Sequence, residues 1–226
     1  AGLYRRSLAL REKVLPLDHP GLAPTLNNLG MVYRNQERFD EAARFFRLAL
    51  ELWEKRHPPA HPHVAAALNN LAELYAAQER FAEAEPLNRR ALAIWEGAYG
   101  SEHPHVATSA ENLGVIFRGQ GKYRGAGALF ERALRIREKH FGPSHPLVEK
   151  TVHNLALSRL LEGRFTEAEA GFRRSLQLAE SNFGPSHPRV AGNLQGLAAV
   201  FAARKQEKEA QAYRERASSI FRRTLR

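Results

Sequence analysis

Apolar residues recur along the chain at helical spacing, in pairs of segments separated by short polar turns. The first segment of residues 59–100 carries the i, i+3, i+4, i+7 pattern of one helix face at Leu68, Leu71, Ala72 and Tyr75. After the polar turn 78–80 a second segment carries the same kind of face, through Ala84, Leu87, Ala91, Leu92 and Trp95. The pattern predicts two antiparallel helices joined by a tight turn.

This helical hairpin is repeated at a fixed interval of 42 residues. The dipeptide His-Pro marks the interval at His19, His61, His103, His145 and His187. Such a strict period indicates an array of equal units. We predict a half unit at 1–16, consisting of a second helix alone, followed by five repeats at 17–58, 59–100, 101–142, 143–184 and 185–226. The C-terminal segment 205–226 is more polar than the helices before it, which is typical of a terminal cap.

Residues at the joints predict where the helices begin and end. Pro62 suits the first helical position, where its missing N–H is not needed, and Gly100 suits a positive-φ position after a helix end. Pro58 takes the place of that glycine in the joint before and demands a different stop. Thr166 and Glu169 have the spacing of a capping box.

Composition narrows the classes of protein that remain. Of 226 residues, 43% are hydrophobic and none is cysteine, so disulfides, thiolate metal ligands and a cysteine nucleophile are excluded. No apolar run has the length of a membrane span, and no secretion signal is visible, so we predict a monomeric cytoplasmic protein that does not enter the membrane. The net charge of +10 favours acidic partners.

The columns of the repeat resemble those of the tetratricopeptide repeat, with Leu29-Gly30, Tyr33, Ala42, Phe46 and Ala49 at its characteristic offsets. The 42-residue period and the sequence Leu68-Asn69-Asn70-Leu71 are similar to the repeats of kinesin light chains and their bacterial relatives. The resemblance implies an all-α, right-handed superhelical solenoid of stacked helix-turn-helix repeats. It also implies a concave groove, lined by the first helices, that holds an extended peptide of a partner protein.

One asparagine column points away from the apolar face of the first helices. At 100° per residue, Asn70 lies opposite the core positions of its own helix, and Asn28, Asn112 and Asn154 share its column, which breaks only at Gly196. A primary amide hydrogen-bonds the backbone of an extended ligand whatever the ligand's side chains are. We therefore predict peptide contacts by these four residues. Alternatively, the column bonds a neighbouring helix or survives from duplication.

Other polar residues of the first helices are predicted to border the same groove. They are Asn27, Asn69, Arg34, Glu73, Arg118 and Lys150. Together with apolar neighbours such as Leu157 and Leu161, they favour a protein or peptide ligand that carries acidic and apolar residues.

Histidines and arginines supply the remaining candidate chemistry. Histidines of successive joints are separated by at least the 8–10 Å between packed helices, too far to share one zinc ion, and His103 with His105 lacks a third ligand. We predict helix caps at these positions, with no metal, no cofactor and no catalytic site.

Arg90 is predicted to face solvent on the second helices, in one column with Arg6, Arg132, Arg174 and Arg216. Such a stripe is most often a solvated face; the alternative function is nucleic-acid binding by this basic outer surface.

Overall fold

The computed structural model describes residues 19–224, and this part of the chain contains ten α-helices and one short 3₁₀ turn, Pro20–Leu22. The helices are α1 Ala23–Asn35, α2 Phe39–Arg56, α3 Pro62–Ala77, α4 Phe81–Tyr99, α5 Pro104–Gly119, α6 Tyr123–Phe141, α7 Pro146–Leu161, α8 Phe165–Phe183, α9 Pro188–Ala203 and α10 Glu207–Thr224. Each predicted 42-residue repeat spans two of these helices. The predicted all-α hairpin fold is confirmed, and the predicted half repeat 1–16 lies outside the described residues.

The helices divide into two compact units between Gly119 and Gln120. The first unit contains α1 to α5 and the second contains α6 to α10. In the first unit, α1 packs on α2, α3 packs on α4, and the first helices α1, α3 and α5 contact one another in sequence. In the second unit, α7 packs on α8 and α9 on α10, and the first helices α7 and α9 contact each other. The first helices of each unit therefore lie side by side.

The joints between hairpins have the structure that their proline and glycine residues predict. Helices α3, α5, α7 and α9 each begin at the proline of the His-Pro pair. Gly100 follows α4 with φ 83° and ψ 165°, a combination that is essentially restricted to glycine. In the joint before it, α2 ends at Arg56 and His57 continues in an extended conformation, φ −117° and ψ 155°, which suits the proline that follows.

The second helix of the fourth repeat does not begin with the predicted capping box. Helix α8 begins at Phe165, so Thr166 is already helical, and no side chain caps the helix start. Arg164 precedes the helix instead, and its Nε donates to Glu167 at 2.7 Å. The Thr166 hydroxyl accepts a hydrogen bond from Arg204 at 3.3 Å, and the Glu169 carboxylate accepts one from the same arginine at 2.6 Å. The predicted capping box is therefore wrong, because both of its residues bond Arg204 instead of the start of α8.

Large aromatic side chains fill the interior between the helices of each unit. Phe46 in the first unit and Phe130 and Phe172 in the second are fully buried. A Cβ atom on Gly196 would come within 2.4 Å of the Phe172 ring, so glycine lets α9 lie directly against that ring.

Candidate functional site

In the first unit, the asparagine column lies half-buried along the first helices, and its members differ in their contacts. Asn70 Nδ2 donates to Asn27 Oδ1 at 2.8 Å, so these two residues join α3 to α1. The side chains of Asn28 and Asn112 form no hydrogen bond within residues 19–224. The alternative in which this column bonds a neighbouring helix therefore describes Asn70, while Asn28 and Asn112 do not bond a neighbouring helix among the described residues.

Asn69, predicted to border the groove, is instead almost fully buried, with 9% of its surface exposed. Its Nδ2 lies 2.7 Å from Ser109 Oγ on α5, and its Oδ1 accepts from Asn88 Nδ2 on α4 at 3.0 Å. The amide of Asn69 therefore ties three helices of the first unit together. It offers little to a ligand on the surface.

Two of the three charged residues predicted in the first unit's groove bind each other. Arg34 Nη1 on α1 lies 2.7 Å from Glu73 Oε2 on α3. Both remain partly exposed, so a ligand would meet a neutral pair rather than two separate charges. Farther along, Arg118 is half-buried; burial lowers its pKa, and the charge of Glu111 opposes that shift.

In the second unit, a cleft of about 280 Å³ opens between the first helices α7 and α9. It is lined by Glu149, Lys150, His153, Asn154, Arg189 and Gly192. Lys150 and Asn154, both predicted as ligand contacts from the sequence, thus line one cleft. Asn154 is only 8% exposed, so it lies in the wall of the cleft, whereas the Lys150 side chain is exposed.

A buried carboxylate supports this cleft. Glu149 is 2% exposed, and its Oε2 lies 2.7 Å from Nη1 of Arg189, whose side chain reaches solvent. Weaker hydrogen bonds from Ser175 Oγ at 3.2 Å and Asn193 Nδ2 at 3.4 Å complete its coordination. Because a buried charge is costly unless paired, Arg189 is required both for the cleft and for the stability of this interface.

Ion pairs cover the second helices on the predicted basic stripe. Arg90 pairs with Glu54 at 2.6 Å, and the same pairing joins Arg174 to Glu138 and Arg216 to Glu180. In each pair the glutamate lies 36 residues earlier, on the second helix of the preceding repeat. We call these three pairs the outer ladder. Arg90 faces solvent as predicted, but a glutamate neutralises its charge, which the arginine column alone did not reveal.

Histidine caps every first helix for which the structure describes the preceding joint. The Nδ1 atoms of His61, His103, His145 and His187 accept the backbone N–H two residues later at 3.1–3.2 Å. His19 Nδ1 likewise accepts from Gly21 at 3.0 Å. The prediction that these histidines are helix caps is confirmed for the first four, whereas His19 precedes the 3₁₀ turn and α1 has no side-chain cap. A cap of this kind requires the neutral ring, because a protonated Nδ1 is a donor.

One histidine of the first joint, His57, was not among the residues predicted from the sequence. His57, at the end of α2, stacks on His61 with ring centroids 3.8 Å apart, and His63 is the third member of the group. One ring nitrogen from each of the three lies within 4.8 Å of the others. Burial lowers the pKa of His57, and the nearby His61, His63 and Arg56 lower it further. The spacing His-x-x-x-His-x-His was the available signal, because it places a third imidazole four residues before the capping residue.

Stacked hairpins that keep polar residues on the first-helix faces define a helical repeat protein of the interaction class. The tetratricopeptide repeat model matches residues 2–55, 63–139 and 147–223, and the chain belongs to the tetratricopeptide repeat family. A comparison with curated proteins finds no match. Proteins of this family generally serve as scaffolds for protein interactions.

Solved structures of similar fold include kinesin-light-chain-like repeats, as the sequence predicted. A putative kinesin light chain of Podosopora anserina with nearly identical TPR-like repeats is 25% identical, with a TM-score of 0.76, over 92% of this chain and 99% of that one. BtubC (BKLC) from P. vanneervenii is 22% identical, with a TM-score of 0.81, over 99% and 90%. The Rap conjugation gene regulator of plasmid pLS20, solved with the Phr* peptide, is 17% identical, with a TM-score of 0.67, over 88% and 53%.

No helix within residues 19–224 combines the length and the apolarity needed to cross a membrane.

Proposed function

We propose that the protein is a non-catalytic interaction scaffold whose first helices bind extended segments of a partner protein. The cleft between α7 and α9 is the observation that carries this proposal. It is concave, it lies between first helices of consecutive repeats, and it is lined by Lys150 and Asn154, which sequence reasoning assigned to ligand binding. A concave surface with a few convergent polar groups is the usual form of a binding site.

The face of α7 favours a ligand that carries both acidic and apolar residues. Lys150, Asn154, Leu157 and Leu161 follow one another at i, i+4, i+7 and i+11, so they lie along one side of the helix. Lys150 is exposed at one end, and Leu161 is 44% exposed at the other. An extended segment that lies along this face meets a cation, an amide and two apolar side chains in order.

The first unit offers a shorter version of the same pattern. Asn28 precedes Met31 on α1 by three residues, and Asn112 precedes Val115 on α5 by three residues. The side chain of Met31 is 39% exposed. Each helix therefore presents an amide next to an apolar side chain, a pairing suited to the backbone and an apolar side chain of an extended ligand.

Selection of random linear peptides on the immobilised chain, followed by fluorescence anisotropy with a selected peptide, tests the proposal. Lys150→Glu should weaken binding by roughly tenfold or more, because it reverses the one exposed cation on the α7 face. Arg124→Glu is the matched control. Arg124 is exposed on the second helix α6, and its replacement changes the net charge by the same amount.

Equal losses of peptide affinity in these two variants would mean that net charge alone attracts the peptide, and they would contradict the assignment of the cleft as the binding site. Melting curves by circular dichroism establish that both variants fold.

For the first unit, the Asn28→Leu and Asn112→Leu double variant should lose peptides that the parent chain binds through α1 and α5. Its unfolding midpoint should stay close to that of the parent, since neither amide has a hydrogen-bond partner within residues 19–224.

The alternative of nucleic-acid binding through the outer face is weakened by the outer ladder. A guanidinium that already binds a carboxylate must give up that partner before it can bind a phosphate. Aromatic side chains that would stack on bases do not accompany the arginine column. We therefore assign the net charge of +10 to the attraction of acidic protein segments.

A further inference from the structure

The first joint, residues 57–63, differs from the three later joints in the ring that packs on its capping histidine. In each later joint that ring is a phenol or a phenyl group instead of an imidazole: Tyr99 on His103, Phe141 on His145 and Phe183 on His187, with ring centroids 4.5–4.8 Å apart. In the first joint the same position, 42 residues earlier than Tyr99, is His57. The stacked pair of rings is thus retained, while its chemistry changes from one imidazole to two.

A third imidazole completes the group in the first joint. The residue after the proline is His63 here, His105 in the next joint, and then Leu147 and Arg189. The first joint is therefore the one that has three histidines among the joints that the structure describes. One nitrogen from each ring lies within 4.8 Å of the others, and His57 and His61 are half-buried while His63 is exposed.

We propose that His57, His61 and His63 form a binding site for a divalent transition-metal ion of the zinc type. Imidazole nitrogen is a preferred ligand for zinc, nickel and copper, and three such ligands leave a fourth position open to water or to a ligand from another molecule. The ion would join the end of α2 to the start of α3.

The backbone of the joint holds the three residues close together before any ion arrives. Pro58 and Pro59 restrict the chain between His57 and His61, and His61 N–H donates to the Pro58 carbonyl oxygen at 2.9 Å to close a turn. Nitrogen ligands about 2.0–2.1 Å from a tetrahedral ion are about 3.3 Å apart, so the rings must close by about 1.5 Å at most. Rotation of the exposed His63 and of His57 about their side-chain bonds supplies a movement of this size.

The helix cap sets how tightly the site can bind. His61 Nδ1 accepts the backbone N–H of His63 at 3.1 Å, which leaves the ring proton on Nε2. A metal at Nε2 moves that proton to Nδ1, and a metal at Nδ1 replaces the hydrogen bond directly. Either way the cap is given up, so we expect binding in the micromolar range rather than that of a closed structural zinc site.

Calorimetric titration of the chain with zinc chloride tests the site, and the His57→Tyr variant is its most informative partner. That substitution gives the first joint the same Tyr, His, His pattern that Tyr99, His103 and His105 form in the second joint, so the ring stack is preserved. We expect about one ion per parent chain, and a loss of affinity of roughly tenfold or more in the variant. Undiminished zinc affinity in a folded His57→Tyr variant would overturn the proposal.

The reverse substitution tests whether the pattern is sufficient. Tyr99→His gives the second joint three histidines at the same spacing, and it should raise the zinc stoichiometry from about one ion to about two. Failure of Tyr99→His to add a second ion would show that histidine spacing at the joint does not by itself make a site, and that result also counts against the first joint.

Trp53 provides a local readout that distinguishes this site from histidines elsewhere in the chain. Its indole stacks on His63 with centroids 5.4 Å apart, and the chain has two tryptophans. Trp95→Phe leaves Trp53 as the sole reporter; because Trp95 Nε1 has no hydrogen-bond partner among the described residues, the change breaks no hydrogen bond there. Nickel(II) should then quench Trp53 saturably, zinc should reverse the quenching, and His57→Tyr should abolish it. Quenching that survives His57→Tyr refutes the three-histidine site.

Discussion

Both units have a hydrogen-bonded pair of polar side chains at the same position of the repeat, but the residues that form the pair differ. In the first unit the pair is Asn69 with Ser109, and in the second it is His153 with Asn193, whose Nδ1 and Oδ1 atoms lie 2.8 Å apart. Both pairs join residues 40 apart on consecutive first helices. The geometry of the stack is thus constant, while the identity of the hydrogen-bonding groups is not.

What surrounds each pair explains the difference. In the first unit Asn88 on the intervening second helix adds a third amide. In the second unit the residue at that position is Phe172, whose ring meets His153 edge-on at 5.5 Å and has no hydrogen bond to give. Glu149 and Arg189 supply polar contacts to Asn193 there instead. The first unit therefore has a neutral network where the second has a buried charge, and the second should be the more sensitive to loss of a partner.

The largest expected effect is that of Arg189→Ala. It leaves the buried Glu149 carboxylate with only neutral donors at 3.2 and 3.4 Å, so we expect a loss of about 3 kcal/mol in the free energy of unfolding. Denaturant titration measures it. The double variant Arg189→Ala with Glu149→Gln should recover part of the loss, because the charge is gone. If single and double variants are equally unstable, the buried charge is not what separates the two units.

Asn69→Ala should have the next largest effect, about 2 kcal/mol, since it leaves Asn88 and Ser109 without their partner in the interior of the first unit. The same denaturant titration measures the loss. In a double-mutant cycle with Asn88→Ala, the second substitution should cost much less after the first than it does alone. Simple additivity of the two losses would contradict a shared network.

Acid should destabilise the first unit through two histidines that the second unit lacks. Burial lowers the pKa of His57 and His105, and neighbouring histidines add to the effect. The unfolded chain binds protons more readily at these sites, so stability is intact above the ordinary histidine pKa of 6.5 and falls as the pH drops below it. We expect this loss to be smaller than those of the two substitutions above.

Unfolding midpoints at pH 7.5 and 5.5, measured in the presence of a chelator, check this expectation. The comparison variant carries His57→Phe and His105→Leu, the residues found at Phe141 and Leu147 in the second unit. It should lose less stability on acidification than the parent chain. The same loss of stability in the parent chain and the variant would show that His57 and His105 do not cause the acid sensitivity of the first unit.

The smallest effect belongs to the feature that both units share. Arg90→Ala in the first unit and Arg174→Ala in the second each remove one exposed pair of the outer ladder, and each should lower the free energy of unfolding by no more than about 0.5 kcal/mol.

A random-sequence oligonucleotide should also fail to bind near physiological salt in fluorescence anisotropy. Binding that falls steeply with salt, and disappears when Arg90, Arg132 and Arg174 become Glu, would instead support the nucleic-acid alternative.

The sequence predicts well those features that depend on one residue or one helix. The periodicity predicted the hairpins, His-Pro predicted the helix starts, and Gly100 predicted a positive-φ stop. Each of these follows from the properties of a single residue or a single apolar face, which do not require knowledge of what packs beside it.

Features that depend on two helices could not be read from the same columns. The angular position of Asn69 does not reveal that Ser109 and Asn88 lie beside it, and an arginine column does not reveal a glutamate 36 residues earlier. Gly196 lies directly against the Phe172 ring of another helix, a contact that its column does not reveal. Pairwise contacts such as these decide whether a polar residue serves the stack or a ligand, and they required the structure.

The outer ladder has a consequence for how such a chain changes over evolutionary time. Each of its ion pairs reaches back 36 residues, and each arginine lies fewer than 36 residues from the start of its own repeat, so the acidic partner belongs to the preceding copy. A duplication or deletion of one whole repeat therefore brings together an arginine and a glutamate that were never adjacent before, and they match at once. Each exposed pair contributes little to stability, so the outer ladder only weakly favours whole-copy changes over insertions of other lengths.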